Sequence, residues 1–230
     1  MIAIYIIAAL LVLALIVAPG IWVKYILAHH NRERDDLAMT GQEFAQRLIE
    51  QFELSDVGLE STKPGTDHYD PQSKYVRIGE NYYTQHSLTA IAVAAHEVGH
   101  ALQDATNYPG MRLRTKLAKF AVVAGQLGNG ALIAAPIMMA IAKSPTMGGI
   151  IFGLALLGFS MTILMHLVTL PVEFDASFNR ALPILRDCHY LTPEDLVKAR
   201  RILSACAMTY VAQSLMSILQ FQRWFKFLRR

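Results

Sequence analysis

The chain opens with an uncharged apolar run that limits it at once to folds compatible with lipid. Residues 2–23 read IAIYIIAALLVLALIVAPGIWV, and about 20 helical residues are enough to cross the roughly 30 Å hydrocarbon core of a bilayer. A secretory signal peptide has a basic segment before a shorter apolar core, and nothing basic precedes this run. The sequence therefore predicts an uncleaved N-terminal transmembrane anchor over residues 1–23.

Two further apolar runs lie close together, at residues 118–142 and 148–170, with the short turn KSPT between them. Ala, Leu, Ile, Met and Gly dominate both runs. Over the whole chain 53% of residues are hydrophobic and only 17% are charged, whereas soluble domains average about 25% charged residues. We therefore predict a transmembrane hairpin over residues 118–170, in which small residues let the two helices approach closely.

The basic residues predict the orientation of these spans. With the N-terminus outside, every Lys and Arg except Lys143 falls on the opposite side of the membrane, which is the cytoplasmic side by the positive-inside rule. Residues 24–117 and 171–230 are therefore predicted to face the cytoplasm. Cys188 and Cys206 are accordingly expected to be reduced thiols, because disulfides are rare in that compartment.

The last apolar run, residues 205–222, carries a different prediction. As a fourth span it would take the basic sequence RWFKFLRR to the outside, against the positive-inside rule. We predict a helix that packs on the cytoplasmic part or lies at the membrane interface, with Trp224, Phe225 and Phe227 at headgroup depth. The lipid bilayer is thus an expected partner. Nucleic acid is not, because the net charge is only +3 and no basic, aromatic-interleaved surface is evident.

The stretch between the anchor and the hairpin mixes helix and strand signals. TGQEFAQRLIEQF has apolar residues at helical spacing after Thr40, and a second helix begins near Ser87; both are suitable N-cap residues. SDVGLEST and KYVRIG are predicted strands, and KPGTDHYDPQS between them is a predicted loop. We also expect KYVRIG to offer an unpaired edge to an extended peptide. The predicted fold class is a mainly α membrane protein with a small sheet in an α+β cytoplasmic part.

The second of these helices contains AAHEVGHALQ, residues 94–103. His96 and His100 are four residues apart and share one helical face, where two neutral imidazoles are good ligands for zinc. Glu97 is turned about 100° around the helix and is placed to act as a base on a water in an open metal position. The pattern H-E-x-x-H is the zinc metalloprotease signature.

A structural alternative exists for this motif. The same letters occur by chance on surface helices with salt bridges, and a lone histidine on an apolar helix is usually a hydrogen-bonded core residue. However, the segment AIAVAA directly before the motif is too apolar for a surface helix. Metal binding is therefore the prediction.

Two histidines and a water leave one protein ligand to be found. The segment ALQDATNYPG after His100 contains no third histidine, which argues against the metzincin pattern. LPVEFDASFNR, residues 170–180, directly follows the hairpin, which returns the chain to the membrane face that it left. With a helix beginning at Pro171, Glu173 would face the histidines. The alternative is an exposed carboxylate favoured by the dipole at a helix start.

Three segments of the chain, TDHYDPQSKYVRIGENYY, SLTAIAVAAHEVGHALQDATNY and LPVEFDASFNRA, resemble the bacterial neutral zinc metallopeptidase family of the YugP type. The layout is more distantly similar to the heat-shock membrane proteases and the CAAX prenyl proteases. The resemblance implies a zincin-like, gluzincin-like catalytic part in the bacterial cytoplasmic (inner) membrane, with Zn²⁺ as cofactor and Glu173 as the third ligand.

This chain departs from those relatives at one point. They read E-x-x-A-D where this chain reads EFDAS, so its Asp175 is two rather than four places after the glutamate. A role for Asp175 in holding a metal-binding histidine stays open. Asp104 is the alternative partner for a histidine N–H.

Three residues are candidates for stabilising the oxyanion that forms during hydrolysis: His68 and Tyr69 in DHYD, and Arg180, seven residues after Glu173. A donor of this kind contributes roughly 3 to 4 kcal/mol. The structural alternatives stay open as well. For DHYD the alternative is stabilisation of a turn by Asp67 and Asp70, and for Arg180 it is a phosphate or carboxylate partner.

Four parts are predicted in the chain: an anchor (1–23), a cytoplasmic catalytic part (24–117), a transmembrane hairpin (118–170) and a cytoplasmic helical part (171–230). The predicted function is that of a membrane-anchored, multi-pass zinc metalloendopeptidase acting on polypeptides, membrane-associated or unfolded, with Glu97 as general base. The alternative is a non-catalytic membrane protein in which zinc is a structural clamp. Transport is disfavoured because the spans contain almost no charged residues.

Overall fold

A computed structural model describes residues 2–142, 145–187 and 189–228. Helices dominate, and one small sheet lies between the second and third of them. In chain order the elements are α1 (Ile2–His29), α2 (Gly41–Gln51), β1 (Gly58–Thr62), β2 (His68–Asp70), β3 (Tyr75–Gly79), α3 (Glu80–Tyr83), α4 (Leu88–Ala105), α5 (Pro109–Ala142), α6 (Pro145–Phe174), a π-helical turn (Asp175–Ala181), α7 (Leu182–Asp187) and α8 (Pro193–Leu228). The predicted combination of a mainly α fold with a small sheet is confirmed.

Two helices of the described residues are long and apolar enough to cross a membrane, judged by length and composition: Ile4–His29 and the run Gly149–Asp187. They coincide with the first and third predicted spans. Large apolar side chains on both are exposed, for example Leu15 at 71% and Leu167 at 62%. Contiguous apolar surface of this kind marks a face that meets lipid or protein rather than water.

α5 and α6 pack against each other as the predicted helical hairpin. A Cβ added at Gly158 of α6 would lie 2.7 Å from the carbonyl oxygen of Ala124 in α5. Real side chains do not tolerate so short a distance, so the missing side chain is what lets the two backbones approach. Lys143 and Ser144, in the predicted turn KSPT, lie outside the described residues.

The sheet has the strand order β1–β3–β2. β1 runs parallel to β3, with Gly58 opposite Tyr75, and β2 runs antiparallel to it, with His68 opposite Arg77. The prediction that KYVRIG offers an unpaired edge is therefore wrong, because β1 and β2 occupy both sides of β3. His68 and Tyr69 were expected in a loop and lie in β2 instead. A strand of three residues is too short to show alternation, and its pairing with β3 decides its conformation.

α4, which carries the HEVGH segment, is the most buried helix. Ser87 caps its N-terminus as predicted, with its hydroxyl accepting from the N–H of Ala90 at 3.1 Å. All side chains from Leu88 to Ala101 are buried. α2, which begins after a capping box formed by Thr40 and Glu43, packs its apolar face against α4. The surface-helix alternative for the motif is therefore excluded.

α6 continues past Pro171, where a new helix was expected to begin. It ends at Phe174 and passes directly into the π-helical turn Asp175–Ala181. Proline removes one hydrogen bond from a helix interior, and π-helical turns inside helices are frequently found at functional sites. Glu173 thus lies in the last turn of α6. The alternative of an exposed carboxylate at a helix start does not hold, because Glu173 is only 2% exposed.

α8 is one continuous helix that contains the apolar run 205–222. It packs along α1, α6 and α4, and its buried side includes Ile202, Leu203 and Ala205. Within the run itself Ala205, Ala207 and Ala212 are buried. This burial agrees with the alternative in which the helix packs on other parts of the chain. The side chains of Trp224, Phe225 and Phe227 lie outside what the structure describes, as does Cys188. Cys206, in α8, is unpaired.

The end of α1 is fastened to the buried helices by polar contacts. Arg34 donates to both carboxylate oxygens of Asp195 in the first turn of α8, at 2.8 and 2.9 Å. The hydroxyl of Thr89 in α4 donates to the carbonyl oxygen of Leu27 at 2.9 Å. The N-terminal helix is therefore fixed relative to the helix that carries the histidines.

Candidate metal centre

The first two site residues come from one face of α4. His96 and His100 are separated by one helical turn, and their ring centroids lie 4.7 Å apart with the planes at 77°. Both rings are buried, with 4% and 5% of their surface exposed. The i, i+4 spacing therefore brings the two imidazole rings next to each other, and they lie in the interior of the protein.

Glu173 meets the two histidines from the end of α6. Its Oε2 lies 3.2 Å from Nε2 of His96 and 3.3 Å from Nε2 of His100. Donor atoms held about 2.0 to 2.2 Å from a tetrahedral zinc ion lie roughly 3.4 Å apart. The distances from the Glu173 oxygen to the two imidazole nitrogens are therefore close to the spacing of ligands on one zinc ion. His96, His100 and Glu173 form a group that could hold a metal ion, with all donor atoms within 4.8 Å of one another.

A serine sets the orientation of the His96 ring. The hydroxyl of Ser177, in the π-helical turn, donates to the carbonyl oxygen of Leu203 at 3.1 Å and lies 3.1 Å from Nδ1 of His96. Because the single hydroxyl proton goes to Leu203, the serine oxygen accepts from His96, whose Nδ1 carries the proton. The lone pair of Nε2 is then directed at the metal position.

A glutamine sets the orientation of the His100 ring. Nδ1 of His100 lies 2.9 Å from Oε1 of Gln103, one turn further along α4. The amide nitrogen of Gln103 donates to the carbonyl oxygen of Val172 and to Oδ2 of Asp175, both at 2.8 Å. These two acceptors identify which end of the amide is nitrogen, so Oε1 accepts from His100. Nε2 of His100 is again left for a metal.

Glu97 follows His96 in α4, interacts electrostatically with His96 and Glu173, and has an unpaired oxygen. It is 5% exposed, and its Oε2 makes no hydrogen bond to any described residue. Burial raises the pKa of Glu97 to about 8. A buried carboxylate with a pKa near neutrality and a free oxygen is suited to accept a proton from a molecule bound in front of it.

Gly99 explains how the π-helical turn comes so close to α4. A Cβ at this position would lie 3.0 Å from the backbone oxygen of Ala176. A side chain here would require the backbone of the turn to move by a few tenths of an ångström, and Ser177, the partner of His96, is the next residue of that turn. The glycine inside the motif is therefore a close-contact residue, although glycine costs a helix about 1 kcal/mol relative to alanine.

The three predicted oxyanion residues make other contacts. His68 is exposed, with Nδ1 2.7 Å from the carbonyl oxygen of Thr66. The hydroxyl of Tyr69 donates to Asp104 at 2.8 Å. Arg180 donates to Oδ2 of Asp175 at 2.9 Å. The Arg180 contact is the carboxylate partner left open as its alternative. Asp70 of DHYD accepts from the N–H of Gln72 and the hydroxyl of Ser73, as the turn alternative expects. None of these contacts joins the three residues to the group of three donors. Their catalytic roles stay predictions.

The partners of the histidines differ from the two that the sequence suggested. Asp104 receives the Tyr69 hydroxyl and Lys74, at 2.8 and 2.5 Å, and thereby ties β2 to α4. Asp175 does support His100, but through the amide of Gln103. Ser177 occupies the fourth place after Glu173, where the more distant relatives have aspartate. Its position relative to Glu173 is the sequence feature from which the role of Ser177 could have been predicted. For Gln103 the one such feature is its i+3 spacing from His100.

Two further residues near Glu173 had no sequence signal. Arg114 of α5 lies with Nη1 3.3 Å from Oε1 of Glu173. Its Nη2 donates to the hydroxyl of Tyr210 in α8 at 2.7 Å. These residues are separated from the motif and from Glu173 by long stretches of chain, so only the packing of three helices brings them together.

The chemistry of this site fits a zinc ion. Two neutral imidazole nitrogens and one carboxylate oxygen are the donor set of a catalytic zinc site with an open fourth position. Both histidines are held in the tautomer that leaves Nε2 unprotonated. Two buried carboxylates, Glu97 and Glu173, lie near one arginine, Arg114, and a bound cation would favour the ionised form of both.

Comparison with known proteins agrees with this chemistry. Residues 4–229 match a family described as "Putative neutral zinc metallopeptidase". The chain is 35% identical over 209 residues to a protein of Bacillus subtilis (strain 168) named "Putative membrane protease YugP", covering 88% of this chain and 86% of that protein. No solved structure matches the chain. The chain belongs to this neutral zinc metallopeptidase family, whose match extends over nearly its whole length.

Proposed function

We propose that the protein is a membrane-anchored zinc metalloendopeptidase in which His96, His100 and Glu173 hold Zn²⁺ and Glu97 is the general base. One observation supports this most directly. Oε2 of Glu173 lies 3.2 and 3.3 Å from the two imidazole Nε2 atoms, and the three donors lie within 4.8 Å of one another. The buried Glu97, next to His96 in α4, has an oxygen without a hydrogen-bond partner and interacts electrostatically with His96 and Glu173.

The residues divide the work between them. Zinc, when bound, supplies a Lewis acid that acidifies a water molecule. Glu97 accepts the proton of the attacking water and later passes it to the leaving amine. Ser177 and Gln103 keep the Nε2 atoms of the imidazoles directed at the metal position. The burial of both histidines and both glutamates keeps bulk water away. Such exclusion strengthens every electrostatic interaction in the site.

The alternative of a structural zinc clamp accounts for less of the site. Structural zinc sites are closed by four protein ligands, whereas catalytic ones have three and an open position. Only three candidate ligands converge among the described residues. A clamp also has no use for a buried carboxylate oxygen that lacks a hydrogen-bond partner, and Oε2 of Glu97 is such an atom.

We further propose that the chain is a multi-pass protein of the bacterial cytoplasmic membrane, with the metal centre facing the cytoplasm. The apolar exposed surfaces of α1 and α6 support membrane insertion, and the similar Bacillus protein is named a membrane protease. The distribution of Lys and Arg supports the orientation. Polypeptides that are unfolded or membrane-associated are the substrates that such a position favours.

The decisive experiment uses Glu97→Gln in the full chain purified in detergent. We expect zinc content equal to that of the wild type and casein hydrolysis reduced about 10²- to 10⁴-fold, the range for losing a general base. Glu80→Gln, on an exposed residue of α3, is the control and should keep both properties. Full activity in Glu97→Gln would contradict the proposed mechanism, and a wild type that binds zinc without any hydrolysis would favour the clamp.

A further inference from the structure

The two oxygens of Glu173 have different neighbours. Oε2 faces both histidine Nε2 atoms, at 3.2 and 3.3 Å. Oε1 makes no hydrogen bond to the described residues, and its ion-pair contact is with Nη1 of Arg114 at 3.3 Å. The carboxylate is 2% exposed and the Arg114 side chain 20%. The pair is therefore largely shielded from water, which strengthens its attraction.

Arg114 is itself held in place from a third helix. Its Nη2 donates to the hydroxyl of Tyr210 at 2.7 Å, and its guanidinium lies 5.3 Å from the centre of the Tyr210 ring. The planar guanidinium thus contacts Tyr210 and Glu173 with different nitrogens. A fork of this kind keeps a fixed geometry that a lysine ammonium cannot reproduce.

We propose that Arg114, fastened by Tyr210, is a positioning residue that restricts Glu173 to one metal-binding oxygen. The proposal rests on the metal site described under the proposed function and goes beyond it. With Oε1 attracted to Arg114, only Oε2 is presented to the histidines. A carboxylate free to turn would offer both oxygens and fill the fourth position, which a catalytic site must leave open.

The link also connects the metal site to the packing of the helices. Arg114 lies on α5, Glu173 on α6 and Tyr210 on α8. A displacement of the α5–α6 hairpin relative to α8 would therefore alter the carboxylate that completes the metal site. The contact pattern assigns the hairpin a role in the geometry of the site as well as in anchoring the chain.

The test measures metal binding in the full chain in detergent, in two ways. Competition with a chromogenic chelator gives the zinc affinity. The visible absorption of the Co²⁺-loaded protein reports coordination number, because four-coordinate Co²⁺ absorbs more strongly than five-coordinate Co²⁺. For Arg114→Gln we expect zinc affinity to fall about 10- to 100-fold, the usual effect of removing a partner of a metal ligand, together with weaker Co²⁺ absorption.

Two variants separate positioning from charge. Tyr210→Phe removes one hydroxyl and should lower the zinc affinity and the Co²⁺ absorption by smaller amounts than Arg114→Gln. If Arg114→Gln does not fold, Tyr210→Phe is the variant that tests the proposal. Arg114→Lys keeps the charge without the fork and should restore the affinity in part but not the spectrum. Arg112→Gln, on an exposed residue of the same helix, is the matched control and should resemble the wild type.

Several results would overturn the proposal. One is wild-type affinity and spectrum in Arg114→Gln. Another is full restoration of both by Arg114→Lys with no effect of Tyr210→Phe, which would reduce Arg114 to a balancing charge. A loss in Arg112→Gln as large as in Arg114→Gln would also reject it. A wild type that binds neither metal would instead refute the proposed function, so the two failures are distinguishable.

Discussion

Oε1 of Gln103 lies 2.9 Å from Nδ1 of His100, one turn away on the same helix. The Gln103 side chain is completely buried, and its amide nitrogen is held by Val172 and Asp175 beyond the hairpin. The helix α4 and the segment that contains Glu173 are thus joined by hydrogen bonds through Gln103, in addition to the metal that we propose they share. Ser177 plays the corresponding part for His96.

Gln103→Leu and Ser177→Ala should each weaken zinc binding about 10- to 100-fold, because the imidazoles lose the acceptors that set their tautomer and orientation. Chelator competition measures this. Gln46→Leu and Ser204→Ala serve as matched controls, since these residues make their hydrogen bonds within exposed stretches of α2 and α8. Zinc affinities that equal those of the wild type in both site variants would show that the two acceptors are unimportant.

Zinc should stabilise the wild type and not a variant that lacks a ligand. At a free zinc concentration 100 times the Kd, binding adds about 2.7 kcal/mol to the free energy of unfolding, which for a chain of this size raises the Tm by roughly 5 to 10 °C. Differential scanning fluorimetry in detergent, with and without a chelator, measures the shift. His100→Ala should show almost none of it, and an equal shift in that variant would place the metal elsewhere.

Gly99→Ala should destabilise the protein by roughly 1 kcal/mol. The new Cβ would meet the backbone oxygen of Ala176 at 3.0 Å, and overpacking of this kind costs about 1 to 3 kcal/mol, more than the gain of about 1 kcal/mol in helix propensity. Gly125→Ala is the comparison, because a Cβ there would meet nothing within 4 Å. Its Tm should stay level or rise. A more stable Gly99→Ala variant would show that the π-helical turn yields easily.

The Arg34–Asp195 pair should make stability depend on pH in the acid range only. Hydrogen bonds from Arg34 lower the pKa of Asp195 from 3.8 to about 2. A carboxyl whose pKa is lowered by folding contributes stability above its unfolded pKa and loses that contribution as pH falls through the folded one. The difference in Tm between wild type and Asp195→Asn should therefore be constant above about pH 5 and shrink between about pH 4 and 2.

The control for this pair is Asp187→Asn, which removes an exposed partner of Arg186 and should leave the Tm unchanged at neutral pH, since exposed ion pairs contribute little. A Tm difference for Asp195→Asn that stays the same down to pH 2 would contradict the assigned cause. So would a neutral-pH effect no larger than that of the control.

Much of the architecture follows from local pattern. The apolar runs predict α1 and the α5–α6 hairpin because helix and lipid impose a length and a composition on any span. Thr40 and Ser87 mark the starts of α2 and α4, since caps act within a single turn. His96, Glu97 and His100 belong to the same class: their relation is set by helical periodicity, which is a property of consecutive residues.

What joins distant segments is settled only by packing. β2 is a strand because β3 pairs with it. α6 continues through Pro171 in a region where it packs against α5, α8 and the π-helical turn. Ser177, Gln103, Arg114 and Tyr210 acquire their roles from hydrogen bonds and ion pairs that depend on how α4, α5, α6 and α8 approach one another. Periodicity along a chain carries no information on such distances. The pairing of the two histidines on one face could therefore be predicted from their spacing. The residues that orient them could be found only from the folded chain.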